Sequence, residues 1–542
     1  MIFLSTLLMS VLITIALIPV FSRLAISANV VDIPNERKVH TIPVPRIGGV
    51  AMALGAFAPI LYWNRAGSFV QAYLFGAGVL VVFGLIDDFR ELSPRIKFAG
   101  QFIAALIAVF WGGVTISSLG MLFSDNLLLP GWLAVPLTVI AIVGVTNAIN
   151  LSDGLDGLAG GICLLSFCCI SYLAYLVGNG QIGLIALSLA GVIFGFLRFN
   201  THPASIFMGD AGSQFLGYSA IVLALSLTQG NTPLSPLLPL IILGFPVLDT
   251  LTVMLTRMVQ RRSPFAPDKN HFHHNLMALG LRHPEAVLVI YLFQVILVVS
   301  AYYFRFYPDW LLLCGYLLFS LGILAAFHHA GKTGWRIKRY DLFDIVIVGR
   351  LRKLRDDGVI IRYAFRIFEF GVPLLLLFTC MLPREVPTYI SRAALIFAVV
   401  ILLARSINKE LMASLLRFTL YLLVPFSVFL SDRSLPQWLD GSALRLYNAS
   451  FAVFALLIII VSKFTRRREG FKNTPLDFLI LFIAVLVPNL PDQHFQNYHL
   501  GLVAAKIIML YFSYEVLLAE LRWRVDKVAL VTVLSLVVLA VG

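Results

Sequence analysis

The 542-residue chain is 59% hydrophobic and 13% charged, whereas soluble globular proteins run at about 45–50% and about 25%; a soluble fold is excluded. Its 41 Lys and Arg against 28 Asp and Glu leave a net charge of +13. No aromatic-interleaved basic groove accompanies that excess, so retention of cations on the cytoplasmic side of a membrane explains it better than nucleic acid does.

Apolar runs bounded by Pro, Gly or charge predict an all-α polytopic membrane protein, with spans at 1–22, 47–63, 69–86, 98–113, 130–146, 158–177, 181–197, 212–228, 235–256, 286–304 and 309–328. Residues 1–22 lack a basic leader, and the first cation, Arg23, follows the apolar stretch. An uncleaved helix with its N-terminus outside is expected instead of a signal peptide. If the eleven spans alternate, the loops after the first, third, fifth, seventh and ninth hold thirteen Lys or Arg, and the opposite loops hold only Arg65 and Arg305. The five loops are therefore assigned to the cytoplasm. The five cysteines, Cys163, Cys168, Cys169, Cys314 and Cys380, lie in or beside apolar runs without metal-ligand spacing, so they read as small core residues.

Composition breaks after residue 330. Residues 331–366 form a basic cytoplasmic linker with ten Lys or Arg between Lys332 and Arg366, suited either to anionic headgroups or to a solvated stop-transfer loop. Runs at 367–382, 391–404, 411–431, 446–462, 475–490, 499–519 and 527–542 predict six or seven further spans, the 391–404 run being short enough to be re-entrant or interfacial. The expected organisation is a core over 1–330, the linker, and a C-terminal multi-span module over 367–542.

Ionisable groups at span ends are costly, and four clusters of them fall in the cytoplasmic loops. Asp87 and Asp88 are adjacent carboxylates whose repulsion is tolerable when they face a cation or a proton-transfer partner. Asn147, Asn150, Asp153 and Asp156 recur at intervals of three, which on a helix gives a row of hard oxygen ligands for Mg²⁺ or a hydroxyl-rich ligand. Asp210, between Gly209 and Gly212, allows close approach of a phosphate or metal, with Ser213 and free helix-start amides ready for an anion; an ordinary helix cap is the alternative. Arg257, Arg261, Arg262, Asp268, His271, His273 and His274 supply hydrogen bonds and positive potential for a diphosphate, while zinc is the rival ligand for the HFHH stretch. Before the second span, His40 and Arg46 in HTIPVPRIGG add anion-binding capacity.

With these pieces in order, PRIGG, DDFRELSPRIK, NAINLSDGLDGLAGG, FMGDAGS and SPFAPDKNHFHH, the chain resembles the polyprenyl-phosphate N-acetylhexosamine-1-phosphate transferases over residues 1 to about 328. SPFAPD before HFHH looks closer to the branch that transfers GlcNAc-1-phosphate or a related HexNAc than to the peptidoglycan branch. The resemblance implies attack of a polyprenyl (undecaprenyl) phosphate on the sugar-proximal phosphorus of a UDP-HexNAc. UMP is released, and the first lipid-linked sugar of a bacterial surface polysaccharide, such as the O-antigen of lipopolysaccharide, is formed.

It further implies Mg²⁺, with Mn²⁺ as an alternative, held by Asp210 with Asn150 and Asp153. Asp87, Asp88, Asp153, His271, His273 and His274 are expected in the chemistry, with Asp87 either removing a proton or organising the acceptor phosphate. Asp156 and Phe207 are expected on uracil, and Asn147, Arg46, Arg257, Arg261 and Arg262 on substrate. The enzyme is expected in the bacterial inner membrane with its site on the cytoplasmic face. Its partners are the bilayer, the two substrates, and a homodimer or glycosyltransferase partners; nucleic acid is not among them. A transporter or flippase of lipid-linked sugars, or a non-catalytic scaffold, are the rival functions. The module over 367–542 reads as a docking or oligomerisation unit or as a second activity.

Overall fold

The computed structural model describes residues 2–32, 43–63, 67–122, 128–230, 232–263, 271–333, 359–407, 409–433, 441–464, 500–521 and 525–541, with positions 436 and 439. The predicted span at 475–490, the core of the 331–366 linker, His40 and Asp268 lie outside the described residues. Two compact units divide the chain, Met1–Lys338 and most of Arg339–Gly542.

The protein is an all-α, multi-pass membrane protein: among the described residues eleven helices are long and apolar enough to cross a bilayer. In the first unit the helices are α1 (Ile2–Ser27), α2 (Gly48–Trp63), α3 (Ser68–Arg90), α4 (Pro94–Phe110), α5 (Gly131–Ser152), α6 (Leu158–Leu176), α7 (Gly180–Asn200), α8 (Gly209–Thr228), α9 (Leu238–Ile242), α10 (Gly244–Val259), α11 (Phe272–Ala278), α12 (His283–Tyr303) and α13 (Asp309–Thr333). Two short strands, β1 (Val31–Asp32) and β2 (Val44–Pro45), pair antiparallel in the loop between α1 and α2.

The core is built around α8, whose span is almost wholly buried. Small residues let its neighbours approach backbone to backbone, the means by which helices associate without a hydrophobic driving force. At Gly49 a Cβ would lie 2.7 Å from the Met208 carbonyl, and at Gly217 it would lie 2.8 Å from Thr146 Cα. The first turn of α8 is thereby fixed against α2, and its middle against α5. The loop strands lock the same end: Phe207 N–H donates to the Pro45 carbonyl at 2.7 Å, and Gly48 N–H donates to the Phe207 carbonyl at 2.9 Å.

One element of the first unit departs from the sequence reading. The predicted span 235–256 is broken, because Leu243 (φ −107°, ψ 18°) leaves the helical region between α9 and α10. A break at membrane depth requires internal partners for the freed backbone. They are present: Ser166 Oγ at 3.1 Å and Gln294 Nε2 at 2.7 Å donate to the Ile242 carbonyl, and Tyr316 Oη donates to that of Gly244 at 2.9 Å. The second span, by contrast, runs over 16 residues within one residue of its predicted bounds.

The second unit contains α14 (Val359–Met381), α15 (Thr388–Ile407), α16 (Lys409–Arg433), α17 (Gly441–Phe464), α18 (Leu500–Leu521) and α19 (Asp526–Val541) among the described residues. The run expected to be re-entrant at 391–404 belongs to α15, a 20-residue helix, because Thr388–Tyr389–Ile390 and Arg405–Ile407 extend it at both ends to spanning length. α14 begins inside the expected linker. Leu376, Leu416, Val424 and Leu517 are among the buried residues of a separate apolar core. Within it Lys506 is almost fully buried, with Nζ 3.6 Å from Asp432 Oδ1 and 4.7 Å from the centroid of the Tyr447 ring.

Candidate active site

The five loops predicted to share one face converge on a single cavity of about 550 Å³ in the first unit. The α1–α2 loop supplies Asp32 and Arg46, the α3–α4 region Asp87, Asp88, Glu91 and Lys97, and the α5–α6 region Asn150, Asp153 and Asp156. The α7–α8 region supplies Asn200, Phe207, Asp210 and Ser213, and His273, His274 and His283 complete the wall from α11 and the start of α12.

At the centre, Lys97 Nζ bridges two carboxylates, at 2.6 Å from Asp87 Oδ2 and 2.8 Å from Asp210 Oδ2. Asn150 Nδ2 donates to Asp210 Oδ1 at 3.2 Å and to Ser213 Oγ at 2.8 Å. Asp87 is oriented from behind by the Leu92 N–H, 2.6 Å from its Oδ1. That contact exists because α3 stops at Glu91, which adopts a left-handed conformation (φ 44°), and Pro94 then starts α4. Asp88 turns the other way. Its two oxygens accept the Asp210 and Ala211 amides at 3.0 and 3.3 Å. The helix-start amides expected to be free for an anion are therefore occupied by a carboxyl group of the protein itself, which satisfies the orphan donors. Asp88, expected with Asp87 in the chemistry, lines the same cavity, and both of its oxygens are taken up by these amides.

The row Asn147–Asn150–Asp153–Asp156 is not one helical face. α5 ends at Ser152, Asp153 takes non-helical angles (φ −80°, ψ 49°), and Gly157 at φ 79° starts α6 from a conformation suited to glycine. Asp153 and Asp156 are thus presented by a turn. Asn147 sits one turn deeper and lines a separate apolar groove of about 670 Å³, with Phe98, Phe102, Leu251 and Met254. Burial, followed by the charges of Asp210 and Asp156, pushes Asp153 up to about 7, against a lowering by Arg46.

Asp156 behaves oppositely. Burial opposes its charge, but His202 Nδ1 at 2.8 Å from its Oδ2, the nearby His283 and the Ala204 N–H at 3.1 Å outweigh it and hold the carboxyl below the ordinary range. The rings of His202 and His283 stack at 4.3 Å, and His283 Nε2 accepts the Asp156 N–H at 3.1 Å. Arg46 is anchored by an ion pair with Asp32.

His273 packs over Gly154 at the cavity wall. Burial and the neighbouring imidazoles push it down to about 3, so it contributes a hydrogen-bonding group and not the positive potential expected of it. His271 stands behind the wall, buried, its Nδ1 3.0 Å from Asp249 Oδ2; Asp249 Oδ1 accepts the Phe272 N–H at 2.8 Å. His274 reaches the cavity. Arg257 is buried in α10, and Arg261 and Arg262 are exposed beyond its end; none of the three lines the cavity. The zinc alternative at HFHH finds no support, since among the described residues the one acid or imidazole grouping tight enough to hold a metal ion is Asp156, His202 and His283. The mutual hydrogen bonds described above already account for that grouping.

Sequence reasoning missed Lys97, Asp249, His202, His283 and Asp32. Asp249 carried a usable signal, a carboxylate inside the apolar run GFPVLDTL. Lys97 was counted only as a topogenic charge. His202 and His283 had none, because their pairing with Asp156 spans loops far apart in sequence.

The glycosyl transferase family 4 model matches residues 70–228, the segment carrying Asp87, Lys97, Asn150, Asp153, Asp156 and Asp210. A probable undecaprenyl-phosphate N-acetylglucosaminyl 1-phosphate transferase of Bacillus subtilis is 40% identical over 319 residues, 58% of this chain and 87% of that protein. The undecaprenyl-phosphate α-N-acetylglucosaminyl 1-phosphate transferases of Escherichia coli K12 and Yersinia pestis are 32% and 31% identical, over 62% and 61% of this chain and 93% and 91% of theirs. Identities of 31–40% over 87–93% of such relatives, with the family match over residues 70–228, establish that the chain belongs to glycosyl transferase family 4.

Proposed function

We propose that the first unit transfers HexNAc-1-phosphate, with GlcNAc-1-phosphate as the leading candidate, from a UDP-sugar to undecaprenyl phosphate. The observation that carries the reading is the bridged pair Asp87–Lys97–Asp210 in a cavity whose wall is continuous in sequence with an apolar groove. Lys97 and Asn150 line the cavity, and their neighbours Phe98 and Asn147 line the groove. A lipid acceptor requires that arrangement, with its phosphate among polar groups and its prenyl chain in hydrocarbon.

In the reaction an acceptor phosphate oxygen bonds to the sugar-proximal phosphorus, and the bond from that phosphorus to the bridging oxygen breaks, so that the oxygen leaves with UMP. A phosphate monoester is already ionised near neutrality, so Asp87 acts by positioning. Asp156, held ionised by His202 and the Ala204 amide, accepts the uracil N3–H, and Phe207 offers its ring to the base. His274 and the neutral His273 donate hydrogen bonds to the diphosphate or sugar, with His271 held behind them by Asp249.

The donor set suits a hard divalent ion. Asp87 and Asp210 already share one cation, the Lys97 ammonium, and Asn150 offers an amide oxygen if its side chain is rotated. Asp153 stands further off, because it does not join the other two in a three-carboxylate cluster among the described residues. One or two carboxylates supplemented by substrate phosphates is the usual environment of Mg²⁺. When bound, such an ion neutralises the approaching phosphates and the charge that develops on the transferred phosphoryl group.

The site is assigned to the cytoplasmic face of a bacterial inner membrane, in keeping with the cation-rich loops that form it. The second unit is read as a non-catalytic docking or oligomerisation module. The test is UMP release by the purified chain with Mg²⁺, undecaprenyl phosphate and a panel of UDP-sugars; no release with any UDP-HexNAc would overturn the reading.

A further inference from the structure

We propose that Lys97 is the built-in counter-cation of the Asp87–Asp210 pair, holding the two carboxylates together while no divalent ion is bound and giving them up when one binds. The inference rests on the metal reading above and goes beyond it. Asp87 and Asp210 come from different helices, α3 and α8, and both line one cavity, where two unpaired carboxylates would repel. Lys97 Nζ contacts one oxygen of each, at 2.6 and 2.8 Å. Of the remaining oxygens, Asp87 Oδ1 is taken by the Leu92 amide and Asp210 Oδ1 by Asn150.

A divalent ion entering between the carboxylates must therefore compete for the oxygens that Lys97 occupies. Metal–oxygen distances of about 2.1 Å would bring the ion close enough to the ammonium for strong like-charge repulsion. The released ammonium sits on a flexible four-carbon stem at the cavity wall, where it meets the phosphates of the substrates. One lysine thus organises the empty site and, after exchange, binds anionic substrate.

The test is Mn²⁺ binding to the full-length protein in detergent without substrates, followed by the electron paramagnetic resonance of free Mn²⁺. Lys97→Met and Lys97→Gln should bind Mn²⁺ about tenfold more tightly than the parent, the gain expected when a competitor that closes about nine sites in ten is removed. Both variants should also lose turnover. Lys97→Arg, which keeps the charge, should bind as weakly as the parent, and Asp210→Asn should lose binding. Equal or weaker Mn²⁺ affinity in both Lys97→Met and Lys97→Gln, with Asp210→Asn still abolishing it, overturns the exchange and leaves the metal site standing. Undiminished binding in Asp210→Asn overturns the metal site and the exchange with it.

Discussion

In the Asp88→Asn variant, the carboxylate that receives the Asp210 N–H at 3.0 Å and the Ala211 N–H at 3.3 Å becomes an amide with a single acceptor oxygen. One hydrogen bond worth about 0.5–1.5 kcal/mol is lost. The expected destabilisation is of that size, and larger for Asp88→Ala, which leaves both amides without an acceptor.

Asp210 lies in the turn that loosens, so turnover should fall as well. A displacement of about 1 Å in a positioning group costs about 10²-fold. Thermal unfolding in detergent and UMP release would be measured on the same preparations, and the two losses should move together from Asp88→Asn to Asp88→Ala. If Asp88→Asn kept the parent's melting temperature while activity fell by more than about 10⁴-fold, the upper range for a proton-transfer group, Asp88 would be a chemical participant and the anchoring argument would fail.

The remaining expectations follow from contacts of equal specificity. Gly154→Ala puts a Cβ 2.7 Å from His273 Cε1 and Nε2, and should lower kcat/KM by about 10–100-fold; Gly131→Ala, with nothing within 4 Å, should be neutral, and equal effects would sink the steric reasoning. His273, pushed down to about 3 from an ordinary 6.5, is neutral in the fold. Its contribution to stability is complete above about pH 6.5 and is lost as pH falls toward 3, about 2 kcal/mol by pH 5 if one proton is involved. Isotope-edited NMR should find its ring uncharged from pH 5 to 8, and a titration midpoint near 6.5 would contradict the assignment. Lys506→Met in the second unit should destabilise that unit by stranding Asp432 and leave UMP release within about twofold; a loss beyond tenfold would give the second unit a part in catalysis.

Much of this site was legible because membrane burial makes charge conspicuous. Asp87, Asp153, Asp156 and Asp210 interrupt or end apolar runs, the bias of cations toward alternate loops groups them on one face, and all four line one cavity. The parts that escaped are those decided by direction. Asp87 and Asp88 are identical neighbours in sequence, yet successive helical positions diverge by about 100°, so one faces Lys97 and the other the α8 amides. Spacing by three looked like a helical row, but Asp153 and Asp156 lie past the last helical residue, where periodicity has no meaning. The arginines 257, 261 and 262 satisfied the charge argument, and only the course of α10 showed that they line no part of the cavity. The break at Leu243 was masked by the apolar character of both halves of the ninth span, although Pro246, which has no N–H to give the Ile242 carbonyl four residues back, carried a usable signal.

That break decides more than the direction of one segment. Its carbonyls are gripped by Ser166, Gln294 and Tyr316 from α6, α12 and α13, so the chain there is a welded elbow and not a swivel. The aim of Asp249, and through it the stance of His271 and of the helix start that carries His273 and His274, is consequently set by three uncharged side chains outside the cavity lining. Damage to that distant brace would register first as a misdirected imidazole in a protein that still inserts and folds.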